Sequence, residues 1–240
     1  LPESYVSSYS GKTIYNTETQ IEDSRKPVSY TLETNGYDMN NLKDIVEIPI
    51  YAIPEWTMKT SLGDYSEKAM QQFSMLAYDT PETVIKISDY NKVAALYGNE
   101  QYSLNDDEYM VLCDFEQMIN IRDEALKQNS DIEINGKTYH AKYKECKDGF
   151  VLMSTSNMNA GIILVPDSFE IKEENTEQYF LAANYNAETE EEKIELNNVL
   201  AGEVDSELFD NLSEKEINLE GMTKISLTEA SKGLSTIIIF

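Results

Sequence analysis

The chain has 240 residues, enough for one large domain or two small ones, and its 41% hydrophobic content is that of a folded protein. Its 44 acidic and 19 basic residues give a formal net charge of −25, which excludes nucleic acid and anionic headgroups as the main partners. A cationic partner is the natural counterpart of such a charge, although solubility alone also accounts for it.

The first third of the chain contains few predicted elements. One strand is predicted at "PVSYTLE" (residues 27–33) within a polar stretch. The segment "DIVEIPIYAIPEW" (residues 44–56) alternates apolar side chains with a period of two, and its prolines make it an edge strand at best. Residues 63–78 predict a helix, because Asp64 and Glu67 have capping-box spacing and an apolar stripe follows them.

Strands and helices alternate in the middle third. The runs "ETVIKI" and "EYMVLC" predict two strands, and each is followed by a predicted helix. Ser88 is the expected cap of the first helix, which ends at Gly98, and Asp114 is the expected cap of the second. Along the second helix, apolar residues and Arg122 are spaced to share one face.

A hairpin gives the clearest local signal. Asn135 and Gly136 supply the positive φ angles of a type I′ turn between two alternating runs. The runs "GFVLMST" and "GIILVP" predict further strands. Irregular alternation of strands and helices, together with a hairpin, predicts an α+β fold with a mixed β-sheet and packed helices.

The acidic segment at residues 187–209 predicts a helix. Thr189 and Glu192 have capping-box spacing, while Glu190 and Glu191 sit where the helix dipole favours anions. Apolar residues at helical spacing then form a stripe that starts at Leu196. These features favour a solvated helix start over a calcium or ligand site.

Cysteine and histidine are too sparse for a metal site. Cys113 and Cys146 are interpreted as two unpaired small hydrophobic residues, with one disulfide as the alternative in an oxidising compartment. Their spacing fits no zinc pattern, and His140, the one histidine of the chain, falls in a strand-like run. No metal and no cofactor are therefore expected.

The final residues "GLSTIIIF" admit two interpretations. Three β-branched isoleucines suit a buried terminal strand. However, Ser226 and Glu229 have capping-box spacing for a helix that turns wholly apolar, and Lys232 is placed to snorkel at a membrane surface. We expect the start of a truncated transmembrane helix at residues 228–240.

Several segments resemble one membrane-protein family. "IKISDYNKVAALYGNEQYSLNDDEYMVLC", "INGKTYHAKY" with "GIILVPD", and "TKISLTEASKGLSTIIIF" are similar to the large extracellular domain of FtsX-like (MacB-like) permeases of ABC transporters. The closest branch is the Firmicute one that confers bacitracin and lantibiotic resistance. The resemblance covers residues 81–166 and 222–240 and carries no catalytic signature.

The resemblance implies an ectodomain at the extracellular face of the cell membrane. Its expected parts are an N-terminal part (residues 1–80), a central porter-like core (81–166), an acidic helical part (167–227) and the membrane helix. The implied role is to sense a cationic peptide antibiotic, alone or bound to its lipid-linked cell-wall precursor. The full permease would work with an ATPase subunit and a membrane histidine kinase, which are separate chains.

Candidate peptide contacts are Glu190, Glu191 and Glu192, although helix capping already explains these residues. An enzyme is not expected: carboxylate pairs such as Asp106-Asp107 arise by chance in so acidic a chain, and the sequence has neither a G-x-S-x-G motif nor a phosphate-binding loop. Two non-enzymatic alternatives stay open, namely the ectodomain of a mechanical or lipoprotein-handling permease and a secreted surface interaction protein.

Overall fold

The structure, a computed structural model, describes residues 27–34, 37–72, 78–149, 161–189, 191–193 and 195–196. The helices within these ranges are α1 (Val28–Thr34), α2 (Met58–Leu62), α3 (Ser66–Gln72), α4 (Ile87–Tyr97) and α5 (Glu116–Gln128). The strands are β1 (Leu42–Thr57), β2 (Pro81–Lys86), β3 (Glu108–Leu112), β4 (Asp131–Ile134), β5 (Lys137–Ala141), β6 (Ile162–Val165) and β7 (Thr176–Tyr185). Short 3-10 helices span Met39–Asn41, Gly63–Tyr65 and Glu173–Asn175.

The strands form one mixed sheet with the order β4-β5-β3-β6-β2-β1-β7. The pairs β1–β2, β3–β6 and β4–β5 are antiparallel, whereas β2–β6 and β3–β5 are parallel. Both kinds of pairing in one sheet, with helices in the connections, confirm the predicted α+β fold with a mixed sheet.

Contacts between Cα atoms divide the chain into two compact units. The central unit comprises residues 50–177, and the terminal unit comprises residues 1–49 together with 178–240. The division expected from the sequence, after residues 80, 166 and 227, stays a prediction.

The core of the terminal unit joins α1 to β7. Leu196 packs against this core. The buried apolar side chains that form the core are Val28, Leu32, Tyr37, Leu42, Leu181, Ala183 and Tyr185. Leu196 was expected to begin a buried stripe, and this contact agrees with that expectation. The other members of that stripe, which follow Leu196, lie outside the described residues.

The strand predicted at "PVSYTLE" is wrong, because these residues form α1. Val28 and Leu32, four residues apart, are both fully buried, which is the spacing of one helix face. The Glu47 carboxylate in β1 accepts hydrogen bonds from the backbone N–H of Ser29 at 3.0 Å and from its hydroxyl at 2.6 Å. This carboxylate therefore satisfies an N–H at the helix start that a strand would have used in a ladder.

The prediction that "DIVEIPIYAIPEW" lies at a sheet edge is also wrong. The strand it forms, β1, lies between β2 and β7 in the sheet order. The β1–β2 register shifts between Ile53 and Thr57, and Pro54 lies within that shift. An irregularity in the ladder accommodates a residue without an N–H, so this proline is compatible with an interior strand.

Trp56 lies at the centre of the core of the central unit. Its ring contacts Tyr109 edge-on at 5.3 Å between centroids, and it lies 6.1 Å from the ring of Phe169. The indole N–H donates to the Ser61 hydroxyl at 2.9 Å, so the one polar atom of this buried side chain is satisfied.

A buried ion pair ties α5 to the sheet. Arg122 in α5 donates to both carboxylate oxygens of Glu82 in β2, at 3.0 and 2.8 Å, and each side chain is 2% exposed. Arg122 thus lies on the buried face of α5, as its spacing predicted, together with Met118 and Leu126. Gly161, with a φ of +111°, leaves room for the guanidinium, since a Cβ there would lie 2.6 Å from Nε.

Two predicted helix caps are wrong by one or two residues. The cap position of α4 is Lys86 rather than Ser88, and the cap position of α5 is Phe115 rather than Asp114. For α4, the backbone N–H of Ser88 donates to Oδ1 of Asp167 at 3.2 Å, so a residue distant in sequence supplies the acceptor. The predicted end of α4 at Gly98 is confirmed, with a left-handed φ of 69°.

The predicted hairpin is confirmed. Asn135 and Gly136 have φ angles of 51° and 77° between the antiparallel strands β4 and β5. The helix predicted at residues 63–78 begins as a 3-10 turn and continues as α3, and residues 73–77 lie outside the described part. Most of the predicted strand "GFVLMST", from residue 150 onward, also lies outside it.

Candidate functional site

Of the three acidic residues proposed from the sequence, Glu191 and Glu192 lie at the start of a helical turn in the terminal unit. Glu190 is outside the described residues, whereas Glu191 and Glu192 are exposed. The predicted capping box is confirmed: the N–H of Glu192 donates to the Thr189 hydroxyl, and the N–H of Thr189 donates to the Glu192 carboxylate, both at 3.2 Å. Backbone donors at Glu188 and Thr189 hold the pKa of Glu192 below its ordinary value. Glu192 therefore serves the helix start.

Cys113 and Cys146 are not joined by a disulfide in the structure, in agreement with the interpretation favoured from the sequence. Cys113 is buried and Cys146 is half-buried. Burial raises the pKa of both thiols. Because the thiolate is the reactive form, neither side chain is suited to be a nucleophile at neutral pH.

His140 lies in β5, beside the hairpin, as the sequence predicted. Its Nδ1 is 3.0 Å from Oδ1 of Asp131 on the paired strand, and both side chains are exposed. Within the described ranges, no group of three or more His, Cys, Asp or Glu residues is placed to hold a metal ion. No helix in the same ranges is long and apolar enough to cross a membrane, and residues 228–240 lie outside them.

Three tyrosines of the central unit form a continuous aromatic surface, here called the tyrosine ledge: Tyr90, Tyr102 and Tyr143. Tyr90 and Tyr102 stack with ring centroids 5.8 Å apart and an interplanar angle of 25°. Tyr143 meets Tyr102 edge-on at 6.2 Å. Within the ledge, the Tyr90 ring is buried and the other two rings are half-buried.

Hydrogen bonds from α4 fix the middle of the ledge. The Asn91 side chain donates to the backbone carbonyl of Tyr102 at 2.7 Å and accepts from its N–H at 2.9 Å. The Tyr90 hydroxyl donates to the Glu100 carbonyl, and the Tyr102 hydroxyl donates to the Glu100 carboxylate, both at 3.0 Å. The segment 100–102 is thus held on the helix by side chains, which pre-organises the aromatic surface.

Two carboxylates lie close enough to the ledge to affect Tyr90, while Lys142 and Lys147 also border it. Burial, followed by the charges of Asp148 and Glu100, raises the pKa of Tyr90 to about 12. Burial, reinforced by the charge of Asp148, raises the pKa of Asp114 above its ordinary value. Glu100 and Asp148 therefore favour a positive charge near Tyr90.

One cation of the chain already contacts the ledge. The Lys147 ammonium lies 4.4 Å from the centroid of the Tyr143 ring, within the range of a cation–π contact. The same ammonium pairs with Glu145 at 2.7 Å. An aromatic face beside carboxylates is therefore able to hold an ammonium group at this position.

A concave surface lies along the exposed side of α5. Its carboxylates are already engaged: Asp123 accepts from the N–H of Cys146 at 2.7 Å, and Glu124 pairs with Lys127 at 3.0 Å. One aromatic ring, that of Tyr65, lines this groove, whereas three rings form the tyrosine ledge, so the groove offers fewer aromatic contacts to a cationic ligand.

The sequence did not identify the tyrosine ledge as a site. The three tyrosines are 12 and 41 positions apart, so no periodic pattern connects them. Two features of the sequence point towards the ledge. The "SDYN" segment contributes Tyr90 and Asn91, and the chain contains 16 tyrosines.

Comparisons of the chain with protein-family models, with curated proteins and with solved structures find no match in any of the three.

Proposed function

We propose that this chain is a non-catalytic sensor domain that binds a cationic peptide outside the cytoplasm. Its context would be an FtsX-like ABC transporter permease involved in bacitracin or lantibiotic resistance and sensing. The ligand is the peptide antibiotic itself or the complex of that peptide with its lipid-linked cell-wall precursor. ATP hydrolysis and histidine-kinase signalling belong to separate subunits.

The observation that carries the proposal is the tyrosine ledge with the two carboxylates beside it. A ligand ammonium or guanidinium gains a cation–π contact of about 0.5–1 kcal/mol on an exposed ring, and more where water is excluded. The half-buried rings of Tyr102 and Tyr143 offer apolar area for an amphipathic peptide. The net charge of −25 adds long-range attraction for cationic molecules.

The test is titration of the purified chain with a bacitracin-type and a lantibiotic peptide over a series of salt concentrations. Attraction between exposed charges is screened over a Debye length of about 8 Å at physiological salt. Association should therefore slow as salt rises, while an uncharged peptide analogue should respond little. If neither peptide binds, even with the lipid-linked precursor present, the mechanical-permease and surface-protein alternatives replace this proposal.

Substitution of one tyrosine locates the contact. Tyr143→Leu should weaken binding by at most about two- to fivefold, the value of one exposed cation–π contact, because Lys147 covers this ring in the free protein. Tyr30→Leu is the matched control, since Tyr30 is 51% exposed and belongs to the terminal unit. Equal effects of both substitutions would show that the ledge is not the contact.

Charge substitutions separate a local contact from general attraction. Glu100→Gln, at the ledge, and Glu133→Gln, on the exposed face of β4, remove the same charge. A larger loss of affinity for Glu100→Gln is expected if the ledge binds the peptide. Glu191→Gln and Glu192→Gln test the contacts first proposed from the sequence, and glutamine at position 192 still suits a capping box. A loss of affinity confined to these two variants would place the contact in the terminal unit.

A further inference from the structure

The backbone of Lys147 is fixed beside β3. Its N–H donates to the carbonyl of Val111, and its carbonyl accepts from the N–H of Cys113, both at 2.9 Å. These two bonds form an isolated parallel bridge between Leu112 and Lys147. The Cα position of Lys147 is therefore set by the sheet and does not depend on its side chain.

The side chain of Lys147, in contrast, is held by two weak interactions. It covers the Tyr143 ring and pairs with Glu145, and the side chains of Lys147 and Glu145 are 25% and 62% exposed. Exposed ion pairs and exposed cation–π contacts are individually weak, because water competes for the charge. The ammonium can leave the ring by side-chain rotation while the backbone stays in place.

The ring under Lys147 is more accessible than the rings in two other lysine–tyrosine contacts, one of which is Lys68 over Tyr65, a ring that is 9% exposed. Lys137 lies over Tyr139, a ring that is 5% exposed, and its ammonium also donates to the carbonyl of Asp106 at 2.8 Å. The ring under Lys147 is half-buried and continues the ledge through its contact with Tyr102. Removal of Lys147 from Tyr143 would thus expose an aromatic face next to a second aromatic ring.

We propose that Lys147 is an internal competitor for the cation subsite of the tyrosine ledge. Its ammonium occupies the place of a lysine or arginine side chain of the peptide, and it swings aside when the peptide binds. This inference rests on the proposed function. It identifies Lys147 as a residue that lowers the affinity of the ledge for the peptide. The competition should also favour peptides over small cations. A small cation gains no more from the Tyr143 ring than Lys147 does, whereas a peptide makes further contacts along the ledge.

The experiment compares Lys147→Met with Lys144→Met. Lys144 is exposed and three residues away, so both variants lose one positive charge and gain the same general attraction for a cationic peptide. The probes are the bacitracin-type and lantibiotic peptides, titrated at low and at physiological salt. Lys147→Met should bind about three- to tenfold more tightly than Lys144→Met, which is the combined strength of the two contacts that Lys147 no longer makes.

If the two variants bind equally well, or if Lys147→Met binds more weakly, Lys147 is not a competitor. Binding of the peptide by the wild type would still support the proposed function in that case. Binding by Lys147→Met alone would support the competitor. Failure of wild type and both variants to bind would reject the proposed function and the subsite with it.

A second readout needs no ligand. In the free protein, ring currents of Tyr143 should shift the side-chain methylene protons of Lys147 upfield in NMR spectra, and Tyr143→Leu should abolish the shift. Ordinary chemical shifts for these protons in the wild type would show that the ring is not covered, and would also overturn the inference.

Discussion

The buried pair of Glu82 and Arg122 gives a sharp prediction about stability. Both side chains are 2% exposed, and two hydrogen bonds of 3.0 and 2.8 Å join them. Burial alone would lower the pKa of Arg122, but the charge and hydrogen bonds of Glu82 more than offset this and keep the pKa above its ordinary value. Glu82→Gln preserves the shape of the side chain and leaves this guanidinium buried without its counter-charge.

Such a change should be among the most destabilising single substitutions in the chain. Breaking a buried pair by removing one partner costs about 3–5 kcal/mol, because the remaining charge is uncompensated. A whole domain is stable by only about 5–15 kcal/mol. With a urea slope of about 2 kcal/mol per molar, the midpoint of unfolding should fall by roughly 1.5–2.5 M.

The assay is urea unfolding followed by the fluorescence of Trp56. This is the one tryptophan of the chain, and it is fully buried in the central unit that contains the pair. The control is Glu124→Gln, the same chemical change in an exposed pair with Lys127, for which a loss below about 1 kcal/mol is expected. The double variant Glu82→Leu with Arg122→Met should recover most of the loss, since apolar replacement of a buried pair is often neutral or stabilising.

An unchanged midpoint for Glu82→Gln would refute the reasoning, since it would mean that water or another group compensates the guanidinium. Equal losses for Glu82→Gln and for the double variant would also refute it. In that case the pair would contribute through packing alone, and not through charge.

The hairpin and the histidine pair give two further predictions. Gly136→Val should destabilise the chain by about 1–2 kcal/mol in the same urea assay, because valine strains a φ of 77°, and Gly136→Asn should lose less. The hydrogen bond to Asp131 raises the pKa of His140 above its usual value, and Asp131→Asn should lower it again in an NMR titration. Because the folded pKa is the raised one, the wild type should exceed Asp131→Asn in stability at about pH 6, and the difference should disappear by about pH 8. A His140 pKa that does not respond to Asp131→Asn would contradict the pairing.

Local chemistry explains what the sequence predicted well. The hairpin at Asn135 and Gly136, the end of α4 at Gly98 and the capping box of Thr189 with Glu192 each depend on residues within a few positions of one another. Their physical causes, a left-handed φ or an unsatisfied N–H at a helix start, are visible in a short window of sequence.

Two of the wrong predictions share a different cause, which is a partner distant in sequence. "PVSYTLE" contains residues that suit a strand, and it becomes α1 with a carboxylate from Glu47, 18 positions away from Ser29, at its start. The predicted cap of α4 at Ser88 fails because Asp167, 79 positions away, accepts from that N–H. A propensity window cannot contain such partners, so the tertiary structure overrides it.

The inner and outer residues of the tyrosine ledge come from different segments of the chain. Tyr90 and Asn91, in the "SDYN" segment that carries part of the family resemblance, bind the Glu100–Tyr102 segment and so build the ledge from within. Tyr143 and Lys147 come from the connection that follows β5, and they form its outer end. Substitutions at the outer end leave the hydrogen bonds of the inner end untouched. Under the proposed function, changes at residues 143–147 would alter the ligand and leave the scaffold as it is, so a resemblance in the scaffold would not by itself identify a peptide.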